Sequence, residues 1–170
     1  MPYTDLLRVT VLLTGAEATA LAGITAIAAN RENDTTTILV AGVWWLLALA
    51  IGSYLGRPAR AAAGVRDALT EARTATSLPS ETPTRIAVGR LWPIALTALA
   101  AGVLGILYPG VAAIGAGYAL LVSLAWHTRE AAVLGIEHRD GVKFYVVPNS
   151  ALRPIKLVRT PGLRSDHLHA

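Results

Sequence analysis

The chain has 170 residues, 54% of them hydrophobic and only 15% charged, with a mean hydropathy of +0.50. Soluble domains carry about 25% charged residues, so this composition excludes an ordinary water-soluble domain, and the lack of cysteine excludes disulfides, thiolate metal sites and cysteine nucleophiles. A net charge of +4 would suggest nucleic acid in a soluble protein, but the basic residues fall where membrane topology would put them, and no nucleic-acid partner is expected.

A helix needs about 20 apolar residues to cross the hydrocarbon of a bilayer. Val9–Asn30 is the first such stretch, and its one charge is Glu17, within "VLLTGAEATALAG". Ala26–Ala28 resembles a small-residue cleavage site. Glu17 interrupts the apolar run, however, and Asp5 offsets Arg8 ahead of it, so the segment reads as a retained span. Thr35–Gly56 is the second span and carries no charge. Gly15, Thr19 and Gly23 on the first, and Ala48, Gly52 and Gly56 on the second, form small-residue ridges that admit a neighbouring helix closely. Trp44 and Trp45 lie too deep for an interfacial belt and should pack against protein or a lipid tail.

Residues 58–76 predict a helix opened by Pro58, with Val65, Leu69 and Ala72 on one side. Residues 77–84, "SLPSETPT", read as a linker. Leu91–Thr128 then runs without a formal charge and is too long for one span. Tyr108-Pro109-Gly110 at its centre divides it in two, because proline cannot continue the helical ladder and glycine tolerates a turn. Past it, "VLGIEHRDGVKFYVVP" has β-branched and aromatic residues on both sides of Asp140-Gly141, which predicts a hairpin turning there. Such a hairpin is marginal alone and should lean on the central helix, the membrane surface or another protein. The tail after it, holding Pro154 and Pro161, predicts an extended segment along the membrane.

The expected fold is therefore an all-α integral membrane protein with four transmembrane helices as two helical hairpins, a small cytoplasmic helix and a C-terminal β-hairpin. Its divisions are 1–56 (first hairpin), 57–85 (helix and linker), 86–130 (second hairpin) and 131–170 (β-hairpin and basic tail). All of the 15 cations but Arg31 lie before span 1, between spans 2 and 3, or after span 4. By the positive-inside bias, both termini and the central loop are cytoplasmic. Thirteen Arg against two Lys, with abundant Ala and Gly, point to a GC-rich bacterial genome and hence to a bacterial inner membrane.

Glu17 sits near mid-membrane, where a carboxylate is costly and marks a functional site by default. Thr97 and Tyr118 share its depth, and each has a hydroxyl able to donate to it. Glu17 is open to three roles: a hydrogen-bonded structural acid, a proton, cation or headgroup site, or a subunit contact. Arg90, His127, Arg129 and Glu130 are candidates for chemistry at the cytoplasmic leaflet, and Arg153, Lys156 and Arg159 for anionic headgroups. His127 and Glu130 have metal-site spacing, but nothing obvious completes a site, since "EH" at 137–138 falls in an expected strand and "HLH" at 167–169 in the tail. No metal or other cofactor is expected. The favoured function is a non-enzymatic accessory or assembly subunit of an envelope complex, in contact with anionic lipid and with a protein partner or a second copy. A homo-oligomeric transporter or channel using Glu17 is the alternative, and a lipid-modifying enzyme the third reading.

Overall fold

The computed structural model describes residues 1–70, 72–74, 82–151 and 153–161. In chain order these form α1 (Tyr3–Arg31), α2 (Thr35–Leu55), α3 (Pro58–Thr70), β1 (Arg73–Thr74), α4 (Pro83–Leu107), α5 (Pro109–Trp126), α6 (Arg129–Asp140), β2 (Val142–Val146) and β3 (Leu157–Pro161). Four helices are long and apolar enough to cross a membrane: α1, α2, α4 and the helical stretch that begins with α5.

Local signals explain where these helices stop. Asn33 takes a left-handed conformation between α1 and α2, which asparagine tolerates better than most residues. Asp34 then caps α2, its Oδ1 accepting from the Thr37 N–H at 3.0 Å while its Oδ2 accepts from the Thr37 hydroxyl. Tyr108 alone separates α4 from α5, and Pro109, which has no N–H to give, opens α5 at the expected break.

α5 is the hub. It packs against α1 and α2 more extensively than those two pack against each other, so the sequence-adjacent pair α1–α2 is not the unit of packing. A Cβ on Gly52 would stand 2.9 Å from Leu124 Cβ, so the expected ridge on α2 is seated directly on α5. The ridge expected on α1 holds only in part. Gly15 faces Ser123, but Gly23 meets nothing and Thr19 is exposed. The buried stripe of α1 instead runs through Thr10, Thr14, Ala18, Leu21, Thr25 and Ala28. Its threonines remain satisfied because each hydroxyl donates to the carbonyl four residues back, at 2.7–2.9 Å.

At one end the bundle carries a cap. α1 is about 44 Å long at 1.5 Å per residue, and its first turns reach past the apolar bundle into this cap. There Leu6 and Leu7 join Val65 and Leu69 of α3, Val133 of α6, and Phe144 and Val146 of β2 in one core. Leu7 is 1% exposed and Val133 and Val146 are wholly buried; each such side chain contributes about 1.5–3 kcal/mol by leaving water.

Two expectations about this region are corrected. Residues 129–140 form α6 and not a strand, so Asp140-Gly141 is not a hairpin turn. Gly141, at φ 63° and ψ 31°, is the left-handed cap of α6, its N–H donating to the Glu137 carbonyl. Glu137 and His138 are accordingly helical. The true partner of β2 is β3, antiparallel, with Val142 opposite Pro161 and Val146 opposite Leu157. The tail segment expected to lie along the membrane is thus a central strand of a sheet ordered β1-β3-β2. The second correction is that the central helix ends at Thr70 and not at 76, and Arg73–Thr74 pair in parallel with β3. Pro2 bridges Tyr145, and the Val146 N–H donates to the Met1 carbonyl at 3.0 Å, which ties the start of the chain to the same sheet. The hairpin expected at Asp140-Gly141 is absent, and α3 instead shares one core with α6, β2 and β3. Residues 77–81 of the expected linker and the histidines at 167–169 lie outside the described residues.

Candidate functional site

Thr14 and Leu21 belong to the buried stripe of α1, and Glu17, three and four residues from them, lies at its edge on the same side of the helix. They face Ile94, Thr97, Ala98 and Ala101 of α4, and a face of α5 that includes Ile114, Gly115, Tyr118 and Val122. Between the three helices lies a half-enclosed cavity of about 440 Å³, within the size range of ligand sites. Glu17, Thr97 and Tyr118, singled out by depth alone, therefore line a single space.

The hydrogen bonding expected among them is not present. Glu17 Oε1 is buried without a hydrogen-bond partner. The Thr97 hydroxyl donates instead to the Ile94 carbonyl of its own helix, at 2.8 Å. The Tyr118 ring packs edge-on against Trp44, with ring centres 5.3 Å apart. Glu17 is the only residue of formal charge among those lining the cavity. The nearest cation before it on α1, Arg8, is turned to Glu130, its Nη2 donating to Oε1 at 2.5 Å.

The candidates at the capped end each have partners of their own. Arg90 Nη1 donates to the carbonyls of Ser150 and Arg153, at 2.7 Å each, and so pins the loop between β2 and β3 onto α4. The His127 ring nitrogen Nδ1 contacts the Leu124 carbonyl one turn back. The Arg129 guanidinium lies 4.4 Å over the Trp126 ring, with its Nε buried and unpartnered. Among the described residues no group of three or more acidic or histidine side chains is arranged to hold a metal ion. Arg153, Lys156 and Arg159 are exposed.

Sequence reasoning passed over two sets of contacts. Trp45 Nε1 donates to the Ala113 carbonyl at 2.9 Å and Trp44 Nε1 to the Ile114 carbonyl at 3.3 Å, so both indoles clasp the backbone of α5. The pair of tryptophans was the signal, and packing against protein was one of its two readings. At the end of α2, the guanidiniums of Arg57 and Arg60 lie 4.9 and 4.0 Å from the centre of the Tyr54 ring, and Arg60 also donates to its hydroxyl. The three-residue spacing of Tyr54, Arg57 and Arg60 would have revealed that cluster. At the opposite end of the bundle, hydrogen bonds from Thr37 hold the Asp34 carboxyl below the usual carboxylate range.

Comparison with known protein families, with characterised proteins and with solved structures gives no significant match to this chain.

Proposed function

We propose that this chain is a multi-pass protein of a bacterial cytoplasmic membrane, with α1, α2, α4 and α5 crossing the bilayer and the cap and both termini in the cytoplasm. Its role is that of a non-enzymatic accessory or assembly subunit of a larger envelope complex. The four long apolar helices and the one-sided distribution of cations support the placement. One observation carries the role. Two of the four groups considered for a catalyst at the cytoplasmic leaflet are engaged in holding the fold, Arg90 on the β2–β3 loop and Glu130 on Arg8. Side chains fixed as structural ties favour a scaffold over a reacting centre. The exposed Arg153, Lys156 and Arg159, together with the Tyr54–Arg57–Arg60 cluster, are suited to anionic headgroups, which attract nearby basic residues by about 1 kcal/mol each.

Native mass spectrometry of the protein released from its own membranes in a mild detergent tests the role. One copy bound in fixed ratio to other polypeptides is the expected result. A homo-oligomer free of other polypeptides would overturn it. The cavity at Glu17 favours a second reading, a small homo-oligomeric transporter, since four spans line no pore alone. That reading requires ion-coupled flux in proteoliposomes that Glu17→Gln abolishes.

A further inference from the structure

The cavity between α1, α4 and α5 combines features that together select a ligand class. We infer that it binds a lipophilic monocation, an organic ammonium or phosphonium whose apolar body fills the space and whose charge meets the Glu17 carboxylate. The inference rests on the membrane-spanning part of the proposed function and holds for a subunit and a transporter alike.

Charge is the first argument. A buried carboxylate oxygen without a hydrogen-bond donor is unfavourable, and Glu17 Oε1 is in that position. The walls hold no basic side chain, and Arg8 is committed to Glu130, so among the described residues no cation lines the space that Glu17 faces, and a bound cation would supply the missing partner. The second argument is the lining, which suits a bare inorganic cation poorly. Hard cations require several oxygen ligands. Apart from Glu17, the only side-chain oxygens here belong to Thr14, Thr97 and Tyr118. Three hydroxyls and one carboxylate fall short of the roughly six to eight oxygens such an ion takes, and the rest of the wall is aliphatic or glycine. An organic cation needs no such shell, because its charge is spread over an apolar surface that the aliphatic wall can cover.

Access is the third. The lining residues come from the middle of the three helices, and Ile114 and Tyr118, at 56% and 59% exposed, belong to the open side. A ligand therefore enters sideways, from the hydrocarbon, which admits lipophilic molecules. The Tyr118 ring adds an aromatic face at this entrance, a surface to which cations are attracted.

The test uses two probes of the same shape and opposite charge on the detergent-purified chain, tetraphenylphosphonium and tetraphenylborate, with binding followed by calorimetry. The expected result is saturable binding of tetraphenylphosphonium, at least about tenfold weaker binding of tetraphenylborate, and a loss of about tenfold or more for the phosphonium in Glu17→Gln. Absence of saturable phosphonium binding, equal affinity for the two probes, or full binding by Glu17→Gln would overturn the inference. Should Glu17→Gln fail to fold, Ala98→Leu decides the matter, because it keeps the carboxylate and fills the cavity. Loss of phosphonium binding in that variant supports the site, and unchanged binding overturns it.

Discussion

Gly117 of α5 and Trp44 of α2 approach so closely that a Cβ built on the glycine would stand 1.9 Å from the indole Nε1. The missing side chain admits the indole to the α5 backbone, where it donates to the Ile114 carbonyl and meets the Tyr118 ring. Gly117→Ala forces Trp44 out of this seat. Overpacking of this kind costs about 1–3 kcal/mol, so a lower melting temperature and a shifted tryptophan emission are expected. An unchanged melting curve would refute the contact.

Glycines elsewhere in the bundle should sort by what a methyl group would meet. At Gly56 a Cβ would lie 2.2 Å from the Leu124 carbonyl oxygen, a backbone atom that cannot step aside, whereas at Gly23 and Gly42 it meets nothing. Gly56→Ala is therefore expected to disturb the α2–α5 seam and lower yield and melting temperature. Gly23→Ala and Gly42→Ala are expected to be neutral, or stabilising by up to about 1 kcal/mol through helix propensity. Thermal melts of the three variants in one detergent check this ordering.

Arg90→Ala should leave the bundle intact while freeing the loop between β2 and β3, since both of its bonds go to that loop. Hydrogen exchange across residues 147–156 is expected to accelerate, with α4 unchanged. Equal protection in the variant and the natural chain would mean that the loop is held by something else.

Asp34 makes the α2 cap sensitive to pH. Its carboxyl is held below the ordinary range by the bonds from Thr37, so its contribution is complete above the unfolded carboxylate pKa of about 3.9. That contribution is lost as the pH falls through the lower folded value. Fraying of the first turn of α2, read by hydrogen exchange, should rise in acid in the natural chain. In Asp34→Ala it should already be present at neutral pH and change little in acid.

The natural absence of cysteine makes topology directly testable. Glu32 and Lys143 are both exposed, at opposite ends of the bundle. In intact cells, Glu32→Cys is expected to react with a membrane-impermeant maleimide, and Lys143→Cys only after lysis. The reverse pattern would invert the proposed orientation.

The secondary structure was legible where the signal is local. Apolar length picks out α1 and α2, proline and glycine after Tyr108 divide α4 from α5, and β2 begins at the Val142 that follows Gly141. Asp140-Gly141 was misread because one local fact has two tertiary uses. A glycine at positive φ serves a hairpin turn and a helix cap equally well, and only the docking of α6 through Val133 into the cap core chooses between them. Leu157–Pro161 showed an extended backbone in the sequence, but its partners lie about 15 and 85 residues away, distances over which no sequence spacing specifies pairing.

The same division holds for the candidate site. From the sequence alone came four apolar helices, one-sided charge, and a carboxylate at a depth it shares with Thr97 and Tyr118, because hydropathy and rise per residue are properties of each segment by itself. Tertiary structure decided that α5 is the hub, that Trp44 and Trp45 clasp it, and that Glu17 opens onto a cavity with its Oε1 unpartnered. Those outcomes depend on the rotation of each helix about its axis, which is set by close packing at residues such as Gly52, Gly56 and Gly117. No pattern within a single helix specifies that rotation.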